Sequence, residues 1–318
     1  MEVPLVTLAD VALASKLDWK RSLRFIRQFH QYRQNLKRTS WSCLTSFYPR
    51  ANYMTYYYLL FWWADYCNVH TELLAKPDRS LIAELFFRYI VEIDRLIDTP
   101  EGSTLLKMPS LIKANPTVDN LLKEIFNHVE DLNLPTSAKR KLFQEMWKYR
   151  HECLIVCRRA ANRSSVDLEA VLRVKQKTSG GLFRVWVSLL SSLYCDGLPQ
   201  KLVENSQKIL SEASMAMQVF EDMLDFPEDY AAETLNIFHE ILKRNPSELV
   251  AAKAHLKQIW WQHLDFTWAQ QHLPVSYQAA IDLSNHYLQN ASYASLNPGM
   301  TADLCKLIGN LPNHPVGV

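Results

Sequence analysis

Ile209-Leu-Ser-Glu-Ala-Ser-Met-Ala-Met-Gln-Val-Phe-Glu-Asp-Met-Leu-Asp225-Phe-Pro-Glu-Asp229 is the stretch on which the reading of this chain turns. Its apolar residues Ile209, Leu210, Ala213, Ala216, Met217 and Phe220 recur at the period of an α-helix. Five carboxylates then fall within nine residues: Glu221, Asp222, Asp225, Glu228 and Asp229. Glu221, Asp225 and Asp229 are spaced by four, which on one helix stacks them on one face, roughly 6 Å apart along the axis. Like charges repel at that spacing, and a helix C-terminus disfavours negative charge further. A sequence that carries this cost points to a partner of strong positive charge. Two or three carboxylates offering only oxygen suit Mg²⁺, which keeps some of its waters and takes further oxygens from a substrate phosphate. The competing reading is an acidic helix end that is simply solvated.

A second acidic set lies upstream in Ile90-Val-Glu92-Ile-Asp94-Arg-Leu-Ile-Asp98-Thr-Pro100. Asp94 and Asp98 are again four apart at the end of an apolar helix. Two such helix ends facing each other would hold metal ions, and through them a diphosphate. Pairing of Arg95 with a neighbouring carboxylate is the structural alternative for this set.

Outward from these two stretches the chain reads as helix almost throughout. Apolar residues at helical spacing run through Leu81 to Leu96, Leu121 to Leu132, Ser137 to Ala161, Asp167 to Val174, Leu182 to Tyr194, Lys201 to Asp225, Ala231 to Lys243 and Ser247 to Gln271. Strand-length alternation hardly occurs. Breakers punctuate these segments, among them Asn115-Pro116, Leu134-Pro135, Gly180-Gly181, Asp196-Gly197, Phe226-Pro227, Asn245-Pro246 and Leu273-Pro274. The pattern predicts one all-α domain over residues 1–318, a bundle of about ten or more helices. Residues 290–318, richer in Asn, Pro and Gly, read as a loosely packed tail after a short helix.

Composition narrows the function. Only 7 of 318 residues are glycine, and neither a GxGxxG nor a P-loop pattern occurs, which disfavours Rossmann and Walker-type nucleotide binding. A net charge of +2 gives no reason to expect nucleic acid as a partner. The longest apolar-aromatic run, Tyr53 to Ala64, is far shorter than the ~20 residues of a membrane span, so stable membrane insertion is not expected. Six scattered cysteines without zinc spacing read as reduced thiols of a cytoplasmic protein.

Ala216-Met-Gln-Val-Phe-Glu-Asp-Met-Leu-Asp225 resembles the second aspartate-rich motif of class I isoprenoid synthases. Gln218, Glu221, Asp222 and Asp225 fall on the Phe-Gln-Ile-x-Asp-Asp-x-x-Asp pattern of trans-prenyltransferases. At spacing four, Glu221, Asp225 and Asp229 fall on the metal triad of terpene cyclases, with acidic substitutes. Upstream, Lys175-Gln-Lys-Thr-Ser-Gly-Gly-Leu-Phe183 resembles the Lys-Thr element of prenyltransferases and the Arg-Arg-x-Thr-Ser-Gly element of bacterial cyclases. The resemblance covers roughly residues 80 to 245.

The resemblance implies a helical bundle around a central cavity, with Mg²⁺ held by Asp94, Asp98, Glu221, Asp222, Asp225 and Asp229. It implies diphosphate contacts from Arg173, Lys175 and Lys177. It also implies a helix break at Thr178 to Gly181, with Thr178 and Gly180 beside the reacting carbon. Aromatic faces at Phe183 and Phe220 would stabilise a carbocation. The implied reaction is ionisation of a linear prenyl diphosphate followed by cyclisation or rearrangement, and a homodimer is common in the family. Departures bear on that expectation. The first motif is only Asp94-x-x-x-Asp98, and Thr99-Pro-Glu-Gly-Ser103 stands where chain-elongating enzymes carry paired arginines. The early Gly-Gly-Lys-Arg element is absent, with only Lys37-Arg38 as a faint echo. These losses argue against a second diphosphate substrate, although a trans-prenyltransferase or squalene-synthase-like condensing enzyme stays open. So does a non-catalytic all-α scaffold with degraded motifs.

Overall fold

The computed structural model describes residues 52–74, most positions between 79 and 92, and residues 116–160, 167–194, 197–256 and 264–309. Among the described residues every regular element is a helix and none is a strand. In chain order these are α1 (Asn52–Tyr66), α2 (Thr71–Leu74), α3 (Pro116–Asp131), α4 (Thr136–Ala160) and α5 (Leu168–Lys175). A π-helical turn (Gln176–Gly180) follows, then α6 (Gly181–Tyr194) and α7 (Gln200–Leu224). The remainder are α8 (Phe226–Ala232), α9 (Ile237–Lys243), α10 (Pro246–Leu256), α11 (Phe266–His272), α12 (Pro274–Tyr293) and α13 (Pro298–Gly309). None is long and apolar enough to cross a membrane.

Helix α7 organises the packing. It runs 25 residues, and Ile209, Leu210, Ala213, Met215, Ala216, Val219, Phe220 and Met223 are all buried. Those residues wrap more than one side of the helix, so α7 meets α6, the π turn, α9, α12, α13 and α1 at once. Its contact with α12 uses small residues. Ala213 and Ala216 on α7, with Ala280 and Ser284 on α12, are buried, and the Ser284 hydroxyl donates to the Ala216 carbonyl at 3.2 Å. Side chains this small let two helix backbones approach while the one hydroxyl between them stays satisfied. Helix α3 shows the simpler amphipathic pattern, burying Val118, Leu121, Leu122, Ile125 and Val129 along one face.

Several helices start at a proline, and two expected helices are divided. Pro116, Pro246, Pro274 and Pro298 each open a helix, and Pro227 lies in the first turn of α8. A first-turn proline gives up only an N–H that has no helical partner, and its φ already suits the helix. The expected helix Ala231 to Lys243 is two helices. Chain α8 ends at Ala232, Glu233 turns left-handed with φ 56°, and Asn236 caps α9. The expected helix Ser247 to Gln271 divides into α10 and α11, the latter opened by Asp265, whose carboxylate accepts from the Thr267 N–H at 2.6 Å. Gly197, with φ 96°, is the expected stop after α6.

The tail reading is corrected for residues up to 309. Helix α13 buries Leu304 and Ile308, and it docks on α1, where Trp62 Nε1 donates to the Met300 carbonyl at 3.0 Å. The Leu296 N–H donates to the Tyr66 hydroxyl at 3.0 Å just before it. Residues 310–318 lie outside the described residues.

The expected helix break at Thr178 to Gly181 is also corrected. The chain widens into one π-helical turn and runs straight on into α6. Gly180 is buried where this turn presses on α7, and a Cβ built there would stand 2.6 Å from Ser211 Oγ. The one close neighbour of a Cβ here is the Ser211 hydroxyl, and φ is ordinary. Gly180→Ala gains helix propensity of about 1 kcal/mol but forces the Ser211 hydroxyl aside. We expect Gly180→Ala to lower the melting temperature and Gly180→Ala/Ser211→Ala to restore or raise it, measured by thermal denaturation.

Candidate functional site

The site is built where the end of α5 meets the end of α7. Asp167 caps α5 by accepting from the Ala170 N–H at 2.8 Å. Burial of Val171 and Val174 then fixes the rotation of this short helix, which carries Lys175 inward while Arg173 stays exposed and pairs with Glu169 at 3.5 Å. In the π turn the Thr178 hydroxyl folds back onto the carbonyls of Val174 and Lys175, at 3.3 and 3.2 Å.

Lys175 Nζ reaches across 47 residues of sequence to Asp222 Oδ1 at 2.9 Å. Asp222 is 1% exposed, and both oxygens of its carboxylate accept from protein donors. Oδ1 also accepts from Gln218 Nε2 at 2.6 Å, and Oδ2 accepts from the Ile237 N–H at 2.6 Å. The Ile237 N–H belongs to the first turn of α9, where a negative charge is favoured. Gln218 is oriented in turn by the Ser179 hydroxyl, which donates to its Oε1. Asn236 completes the arrangement. Its Oδ1 accepts from the His239 N–H at 2.8 Å, and its Nδ2 donates to the Asp222 carbonyl and, at 2.7 Å, to Asp229 Oδ2. The other Asp229 oxygen accepts from the Thr234 hydroxyl.

Burial pushes the Asp222 carboxyl above its ordinary range. The Lys175 ammonium opposes that shift, Asp229 adds to it by repulsion, and the Ile237 N–H pulls the other way. Removing one partner of such a pair leaves an uncompensated charge in a dry place, whereas removing both leaves only a packing problem.

The structure therefore brings together part of the predicted set. Lys175, Asp222 and Asp229 meet, joined by Gln218, Ser179, Thr234 and Asn236. Glu221, Asp225 and Asp229 do not lie on one unbroken helix, although backbone bonds from the Asp225 N–H to the Glu221 carbonyl and from the Asp229 N–H to the Asp225 carbonyl link them turn on turn. Helix α7 ends at Leu224, Asp225 is the half-buried junction, and Asp229 lies buried on α8. Glu221 is exposed at the end of α7, and Lys177 is exposed in the π turn. Phe183 and Phe220 are core residues, set edge-on against Trp186 and Phe266 at 5.8 and 6.2 Å. Asp94 and Asp98 lie outside the described residues.

Asp222 and Asp229 do not offer a magnesium ion an open site as they stand, because both are buried and each of their oxygens already accepts from a protein donor with which the ion would have to compete. Among the described residues no three His, Cys, Asp or Glu side chains gather as a set able to hold a metal. The cavity of about 500 Å³ between α3 and α4, lined by Glu130, Lys139, Arg140, Phe143 and Trp147 among others, shares no residue with the Asp222 cluster.

Sequence reading missed Asn236, Thr234 and the Ile237 N–H. The signal available was Asn236 itself, a capping residue directly before the apolar pair Ile237-Phe238. No family model, no curated protein and no solved structure matches the chain.

Two measurements test this account of Asp222. Lys175→Met should cost about 3 kcal/mol in urea denaturation, and Lys175→Met/Asp222→Leu should recover most of it. The pH dependence has a definite sign. A carboxyl raised on folding contributes stability that is present below its unfolded value of 3.8 and is lost as pH rises through the folded value. Asp222→Asn, which cannot ionise, should therefore gain on the wild type as pH rises above 3.8 when the two unfolding free energies are compared.

Proposed function

We propose that the chain is a class I terpene-synthase-like enzyme that ionises one linear prenyl diphosphate and cyclises or rearranges the resulting cation. The observation that carries this reading is the meeting of the two motifs. The Lys175–Gly180 turn and the acidic end of α7, far apart in sequence, lie side by side and are joined at Lys175 and Asp222. The reading is further supported by the π turn itself, a backbone form that concentrates at functional sites. The exposed Lys177 and Arg173 would take the diphosphate oxygens as the carbon–oxygen bond breaks, where positive charge stabilises the departing group. Lys175, held by Asp222, fixes the turn that presents Lys177. The Mg²⁺ of this reading falls to Asp94 and Asp98, with Glu221 and Asp225.

A second reading is favoured by a specific observation. The burial of Asp222 and Asp229 against protein donors is what a non-catalytic all-α scaffold with internalised acidic motifs would have. Incubation with linear prenyl diphosphates of increasing length and Mg²⁺, with and without isopentenyl diphosphate, separates the readings. We expect pyrophosphate release from one prenyl diphosphate alone, with a hydrocarbon or alcohol product by gas chromatography. Lys177→Ala should lower kcat/KM at least about tenfold with its melting temperature unchanged, the loss of about 1.4 kcal/mol of transition-state stabilisation. No release from any substrate, together with no binding of Mg²⁺-pyrophosphate by calorimetry, would favour the scaffold. A strict need for isopentenyl diphosphate would move the chain to the condensing enzymes.

A further inference from the structure

We infer that Lys175 is a built-in counter-ion that takes the place of a metal at Asp222, so that the acidic end of α7 is fastened by the protein's own donors and Asp222 ligates no cation.

The inference rests on one buried carboxylate whose two oxygens accept from three protein donors, one of them an ammonium, and stands under either functional reading. A metal ion needs an oxygen lone pair directed at it, and a site it can enter. Asp222 Oδ1 is shared between an ammonium at 2.9 Å and an amide at 2.6 Å, and Oδ2 faces the Ile237 N–H at 2.6 Å. The amide is not free to turn away, because the Ser179 hydroxyl occupies its oxygen end. The N–H is not free either, because it belongs to a helix end anchored by Asn236 to the Asp222 carbonyl and to Asp229. A cation approaching Asp222 would have to expel Lys175 from a place where its side chain is 17% exposed, and leave that charge without its partner. Lys175 supplies one positive charge without demanding a ligand polyhedron, since an ammonium donates in three directions. The four-residue spacing that looks like a metal triad in sequence is thus divided. Asp222 and Asp229 face inward to protein donors, and Glu221 with Asp225 remains toward the surface.

The test uses Mn²⁺ as the probe on the full-length chain, read by electron paramagnetic resonance, alone and with inorganic pyrophosphate. Wild type, Asp222→Asn and Asp229→Asn should bind Mn²⁺ with affinities within about twofold of one another in both conditions. A weakening of tenfold or more in Asp222→Asn would make Asp222 a ligand and overturn the inference. Where that variant fails to fold, the wild type answers through hydrogen exchange. Protection of the Ile237 amide should be unchanged by saturating Mg²⁺, and its loss would overturn the inference. Absence of Mn²⁺-pyrophosphate binding in the wild type would count against the prenyl diphosphate reading while agreeing with an Asp222 closed to metal.

Discussion

A carboxylate buried to 1% exposure needs its charge answered, and the way Asp222 is answered arranges everything around it. Lys175 brings the end of α5 and the π turn against α7. Gln218 and Ser179 set the register of that turn. The Ile237 N–H and Asn236 bring in the start of α9, and Asn236 ties down α8 through Asp229. The ends of α5 and α7, the start of α9 and helix α8 are joined by one polar cluster set beside their shared apolar packing. Each member is satisfied, which is the condition under which buried polarity specifies a structure and does not weaken it.

The apolar packing and the polar cluster constrain the same helix from opposite directions. Small residues let α12 and the π turn lie close on α7, and the Gly180–Ser211 approach shows how little space remains. With α7 held on several sides by α6, α9, α12 and α13, its C-terminal end has no freedom to present all its carboxylates one way. Asp222 faces inward and Glu221 outward because successive positions on a helix differ by about 100°. The helix then stops at Leu224, so Asp229 is delivered by a different element.

Most of the helical character was legible from residue spacing. Val118, Leu121, Leu122, Ile125 and Val129 mark the buried face of α3, and the helix α7 predicted from Lys201 to Asp225 begins and ends within a residue of its observed bounds. Pro116 reads as a stop in sequence and acts as a start, because the first turn needs no N–H, whereas the breaks at Glu233 and before Asp265 lie inside segments whose apolar spacing runs on as one helix. Of the candidate site, the pairing of Lys175 with the acidic motif was legible only as two separate motifs. Asn236 and Thr234 carried no signal of their own toward Asp229, because a capping asparagine and a loop threonine look alike wherever they occur.

By itself the sequence determined the helical class, the excess of carboxylate at the end of α7 and the basic turn that starts at Lys175, since each depends only on periodicity and local charge. Tertiary structure alone decided which carboxylates are spoken for. Whether Asp222 meets a metal, water or an ammonium depends on the rotation of α7 against α5 and α9, and that rotation is fixed by packing between residues that no local pattern connects.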